Sequence, residues 1–130
     1  MYALDTNSFS YFLKGRGRVG ERLLAQPPST IGLPSVVLYE LAYGAARSQA
    51  PSDLKARLEA LLRSLTILPF GEAEARAAAR LRVDLEAAGR PIGPHDLLIA
   101  ATALAQGATL VTRNVREFRR VKGLLVEDWY

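Results

Sequence analysis

Four side chains in this sequence of 130 residues could supply oxygen ligands from positions that a fold could bring together: Asp5, Glu40, Asp96 and Asn114. Asp5 closes the apolar run Tyr2-Ala3-Leu4 and precedes Thr6-Asn7-Ser8, so it can end a strand and also cap the helix that follows. Glu40 lies one helical turn from Val36, Val37, Tyr43 and Gly44, none of them charged. A carboxylate on such a face requires a partner, either an arginine or a metal ion. Asp96 falls in the first turn of a helix opened by Gly93-Pro94-His95, where unpaired N–H groups carry partial positive charge and favour the ionised form. Asn114 precedes Val115-Arg116-Glu117-Phe118; it either caps that turn, with Glu117 reaching back as in a capping box, or joins the acids. His95 reads as a cap-region or surface residue.

If these groups converge, their charges cannot all persist without a counter-charge, and a divalent cation supplies one. Oxygen-only ligands select a hard ion, Mg²⁺ or Mn²⁺. A catalytic zinc site would normally use several His or Cys ligands, and the chain has one His and no Cys. A hard ion held by carboxylates beside arginines suits hydrolysis of phosphodiesters, because it lowers the pKa of a bound water and offsets charge on the phosphate.

The elements that must position these residues follow from periodicity. Strands are expected over Tyr2 to Asp5, Thr30 to Leu33, Leu65 to Leu68, Ala108 to Thr112 and Leu124 to Val126. Helices are expected after Thr6-Asn7-Ser8, over Val19 to Ala25, from a Ser35 cap over Val36 to Arg47, from Pro51 to Leu65, over Gly71 to Ala88, and from Pro94 to a left-handed stop at Gly107. The last of these is almost wholly apolar, as only a helix in the middle of a domain would be. Strands alternating with helices imply parallel pairing and an α/β sandwich, one domain over residues 1–130. In such sheets ligands bind beyond the carboxyl ends of the strands, here Asp5, Pro34-Ser35, Pro69 and Thr112-Arg113-Asn114.

Hydrophobic residues make up 49% of the chain and charged ones 23%, a globular balance. The absence of cysteine excludes a disulfide framework and suits a reducing cytoplasm. No run reaches the length of a membrane span and no export signal opens the chain, so a cytoplasmic protein is expected. The net charge of +4 suits a polyanionic partner. Its clustering matters more: Arg113, Arg116, Arg119, Arg120 and Lys122 form one group, Lys14, Arg16 and Arg18 another. Of these, Arg113, Arg116 and Arg119 are candidate contacts for the phosphates of such a partner, RNA if the resemblance described next holds. Leu81, Val83, Leu85 and the alanines around them read as core or as a dimer surface.

Leu4-Asp5-Thr6-Asn7, Glu40 within Val37-Leu38-Tyr39-Glu40-Leu41-Ala42-Tyr43-Gly44, Asp96 within Gly93-Pro94-His95-Asp96-Leu97-Leu98-Ile99, and Leu110-Val111-Thr112-Arg113-Asn114-Val115-Arg116-Glu117-Phe118 together resemble a PIN-domain ribonuclease of the VapC toxin type. The resemblance covers nearly the whole chain, in order. It implies a PIN-like three-layer sandwich, a central parallel sheet of about five strands flanked by helices, and Mg²⁺- or Mn²⁺-dependent endoribonuclease activity. It also implies a homodimer and neutralisation by a VapB-like antitoxin whose C-terminal segment lies over the active-site groove. By position Asp5, Glu40 and Asp96 would be the metal ligands, Asn114 the fourth site residue, and Thr6 and Thr112 supporting hydroxyls. Asparagine in place of a fourth acid offers less charge to a second cation.

Three rival readings remain at this stage. The metal site could serve a DNA nuclease or a phosphohydrolase, or the fold could be a non-catalytic RNA- or antitoxin-binding module. A phosphoacceptor receiver is disfavoured, because Pro69 and Glu127-Asp128 stand where it needs an Asp and a Lys.

Overall fold

Five short parallel strands organise the chain. The computed structural model describes all 130 residues. β1 spans Tyr2–Leu4, β2 Ile31–Pro34, β3 Thr66–Leu68, β4 Thr109–Val111 and β5 Val126–Glu127, in the spatial order β3-β2-β1-β4-β5. Every neighbouring pair is parallel, with Tyr2 opposite Ile31 on one side and Thr109 on the other.

Parallel strands need crossovers, and helices supply them. We label these α1 (Thr6–Lys14), α2 (Val19–Leu24), α3 (Ser35–Arg47), α4 (Pro51–Leu62), α5 (Glu72–Ala87), α6 (Pro94–Ala105) and α7 (Val115–Phe118). From β1 to β3 the chain moves outward one strand at a time. It then crosses back over the sheet through α5 and α6, lays β4 against β1 and continues to β5. The direction of winding therefore reverses between β1 and β4, and a crevice opens there at the carboxyl ends of the strands.

The core shows why the order is stable. Leu4, Leu33, Leu110 and Val111 of the strands are fully buried, as are Phe9, Val37, Ile99, Ala100 and Phe118 of the flanking helices. In α6, Ile99 to Ala103 are buried without a break, as its apolar sequence requires. That helix ends where Gly107 adopts φ +63° and the Ala108 N–H reaches back to the Ala103 carbonyl. β2 and β3 approach so closely that a Cβ on Gly32 would stand 2.6 Å from Leu68 Cδ1.

Several local expectations shift. The helix after β1 is capped by Asp5 rather than by Thr6-Asn7-Ser8, and Thr6 is its first residue. Pro34 occupies the N-cap of α3, so Ser35 is already helical and supplies no cap. α4 stops at Leu62, where the Ser64 hydroxyl bonds back to the Leu61 carbonyl, and Leu65 stays outside β3. Leu81 and Leu85 are buried, whereas Val83 is 65% exposed.

Candidate active site

Asp5 leaves the end of β1 at the reversal point and is 5% exposed. Its two oxygens do separate structural work. Oδ1 accepts the Ser8 N–H at 2.9 Å and caps α1, while Oδ2 accepts the Thr112 hydroxyl at 2.6 Å across the β1/β4 boundary. Burial pushes the Asp5 carboxyl above its ordinary range, the two hydrogen bonds and the Ser8 hydroxyl pull it down, and the nearby Glu40 charge adds to the rise.

Glu40 projects from α3 toward the same edge. The Thr6 hydroxyl donates to its Oε1 at 2.6 Å, and His95 Nδ1 stands 3.2 Å from its Oε2. His95, expected only at the surface or in a cap, is thus joined to a site carboxylate and lies edge-on to Tyr39 with ring centroids 5.9 Å apart. Sequence spacing does not reveal that pairing, because α3 and α6 meet only in three dimensions.

Asp96 occupies the first turn of α6, half-buried. Its carboxyl is pushed up to about 6, first by desolvation, then by the charges of Glu117, Asp5 and Glu40. Burial and like charges therefore outweigh the stabilisation expected from the helix end. The Glu40 charge reaches both Asp5 and Asp96, and Asp5 reaches Asp96, while no Lys or Arg lies within 4.0 Å of any of the three.

The turn after β4 completes the edge. The Asn114 N–H donates to the Thr112 hydroxyl at 3.0 Å, so Thr112 links Asp5 to Asn114. Glu117 does not form the expected capping box. It takes the Asn114 side-chain amide on one oxygen and the Gly93 N–H, at 3.3 Å, on the other, facing Asp96. Glu117 therefore stands in the site as a further acid, where its sequence position suggests only a cap. Its spacing three residues after Asn114 on a short helix was the available signal.

The candidate RNA contacts diverge. Arg113 stacks on Tyr130 at 3.7 Å and lies 5.9 Å from the Tyr11 ring centroid. Arg116 lines a cleft of about 420 Å³ with Asn114 and Glu117. Arg119 is exposed at the C-cap of α7, and Arg120 lines that cleft instead.

No three acidic or imidazole side chains stand close enough here to ligate one ion. The donor set nevertheless suits a hard cation: oxygen ligands only, raised carboxyls, and no basic residue to neutralise Asp5 or Asp96. Asp5 and Glu40 each spend two of roughly four lone-pair sites on protein donors, which leaves acceptor capacity on both.

A PIN domain family model matches residues 2–124. The tRNA(fMet)-specific endonuclease VapC of Shigella flexneri is 36% identical over 98% of this chain and 97% of its own length. Ribonuclease VapC2 of Rickettsia felis is 37% identical over 99% and 98%. Among solved structures, VapBC2 from Rickettsia felis, bound to a DNA fragment from its promoter, superposes with TM-score 0.91 at 37% identity, covering 99% of this chain and 98% of that one. DNA-bound VapBC from Salmonella typhimurium superposes with TM-score 0.92 at 35% identity over 99% and 98%. The continuous match in sequence and the close superposition over nearly the whole chain place it in the PIN domain family, among the VapC-type ribonucleases.

Proposed function

We propose that this chain is a metal-dependent endoribonuclease, the toxin of a toxin–antitoxin pair, and that it hydrolyses RNA phosphodiester bonds at the Asp5–Glu40–Asp96 edge. The observation that carries this reading is a set of three mutually repelling carboxylates, none paired with Lys or Arg, at the reversal point of a parallel sheet. Asp5, Glu40 and Asp96 would hold Mg²⁺ or Mn²⁺ with no more than two of them as direct ligands and the rest through its retained waters, and the ion would supply a lowered pKa for its bound water and charge neutralisation at the phosphate.

The protein's own contribution is orientation. Thr112 and the Ser8 N–H fix the Asp5 carboxylate, and Thr6 fixes Glu40. Asn114, held by Glu117, presents a neutral amide where a fourth acid would add charge. Arg116 faces the cleft beside Asn114 and contacts substrate phosphate. A VapB-like antitoxin, a homodimer and a cytoplasmic setting complete the proposal, in keeping with VapBC complexes among the structural relatives.

The test is cleavage of single-stranded RNA, duplex DNA and a generic phosphoester with Mg²⁺, with Mn²⁺ and with EDTA. RNA is cut in the presence of metal, and Asp5→Asn abolishes cutting while leaving the protein folded. Cleavage of DNA without RNA, or full activity in Asp5→Asn or in EDTA, refutes the reading.

A further inference from the structure

On the side of the molecule formed by α5 and α6 lies a cleft of about 1010 Å³, closed below by the segment between α7 and β5. Its floor is aliphatic, built from Leu81, Leu104 and alanines of α5. Its rim carries Arg80, Arg90, Arg120 and Lys122 against a single acid, Asp84. None of these four cations has a carboxylate within 4.0 Å. The contrast within α5 is direct: Arg76 is paired with Glu72 at 3.1 Å and Arg82 with Glu86 at 3.4 Å, while Arg80, which faces the cleft, is left unpaired.

Arg120 makes the cleft continuous with the candidate active site. Its Nη1 donates to the Pro91 carbonyl at 3.1 Å, and its Nε is buried without a partner. The same side chain lines the smaller cleft that contains Asn114, Arg116 and Glu117. A track of cations therefore starts at Arg116, beside Asn114 and Glu117, passes Arg120 and opens onto Arg90, Lys122 and Arg80. Unpaired cations along one path set up a positive potential that attracts a polyanion.

We propose that this cleft is a second binding site for RNA, which holds the sugar–phosphate backbone of the strand beyond the scissile bond. The inference rests on the ribonuclease reading for the identity of the polyanion. Arginine forks and a lysine without an aromatic platform suit phosphate contacts rather than base stacking, so the site lengthens the footprint on RNA without adding base recognition. An acidic peptide would also match the charge, but Arg120 joins this cleft to the one that holds Asn114 and Glu117, which faces Asp96, and that continuity favours the strand itself.

Binding is measured in the Asp5→Asn background, so that RNA stays intact, with a fluorescent single-stranded RNA of about 20 nucleotides, longer than one small site spans. The cleft variant is Arg80→Gln/Arg90→Gln/Lys122→Gln, all exposed side chains. The control variant, Arg63→Gln/Arg76→Gln/Arg82→Gln, removes equal charge from exposed positions elsewhere. With about 0.7 lost from the slope of log affinity on log salt for each phosphate contact, the cleft variant flattens that slope by about 2 and binds roughly a hundredfold more weakly near 0.1 M salt. The control stays within about twofold, since charges off the path make no phosphate contact. Equal losses in both variants, or none in the cleft variant, overturn the proposal. Failure of the unmodified protein to cleave RNA would refute the nuclease reading alone, because the binding result stands independently of it.

Discussion

Removing the charge of Asp96 should stabilise this protein while disabling it. In the metal-free fold the Asp96 carboxyl is raised from 3.8 to about 6 by burial and by Glu117, Asp5 and Glu40. A group whose folded pKa lies above its unfolded one binds more protons when folded, so its contribution is fully present below pH 3.8 and is lost as pH rises through about 6. A shift from 3.8 to about 6 corresponds to about 3 kcal/mol if fully realised. Asp96 is only half-buried, and solvent screening reduces that to about 1–2 kcal/mol. Loss of the carboxylate's favourable interaction with the α6 terminus returns about 0.5 kcal/mol. Asp96→Asn is therefore expected to raise the stability of the metal-free protein by about 1 kcal/mol at pH 7.5, or roughly 3–5 °C in Tm for a chain of this size. Thermal unfolding in EDTA at pH 7.5 and at pH 4 measures it. The gap should close at pH 4, where the native carboxyl is already neutral. In Mg²⁺ the unmodified protein should recover the difference by binding the ion, and RNA cleavage by Asp96→Asn should be absent. A less stable Asp96→Asn at pH 7.5, or a gap of the same size at both pH values, would refute the electrostatic account.

The Mg²⁺ concentration needed for half-maximal cleavage should rise as pH drops through about 6, because protons compete with the ion for Asp96, and Mg²⁺ titrations of the rate at several pH values read it. Thr112→Val leaves a buried Asp5 oxygen without its donor and should cost about 1–3 kcal/mol in denaturant unfolding, together with most of the activity. Gly107→Ala should cost about 1 kcal/mol from backbone strain alone, since φ is +63° and a Cβ there meets nothing within 4 Å. Arg116→Gln should raise KM for RNA with kcat little changed and flatten the salt dependence of binding by about 0.7.

The site was legible to the degree that local pattern determines it. Asp5 and Thr112 end apolar runs, and a parallel sheet must bring such ends to one edge, so their juxtaposition follows from five short strands and the turns between them. Glu40 stood out because its helical neighbours carry no charge. The pairing of His95 with Glu40 and of Glu117 with Asp96 was not legible, because each joins residues on separate elements whose crossing is set by core packing. The ionisation of Asp96 was read from its own helix alone, and the opposing charges come from three other elements. Arg113 was visible as a basic residue in a cluster, but its stacking on Tyr130 depends on how the final residues fold over α1.

The dual use of Asp5 divides the ways in which this protein can be silenced. Asparagine at that position still caps the helix through its one oxygen and turns its amide toward Thr112, whose hydroxyl oxygen can accept from it, whereas alanine forfeits the cap at about 0.5–2 kcal/mol and strands the hydroxyl as well. Asp5→Asn thus yields a durable inert copy, able to occupy a binding partner as a decoy. Asp5→Ala yields a fragile chain, exposed to proteolysis before it can occupy anything.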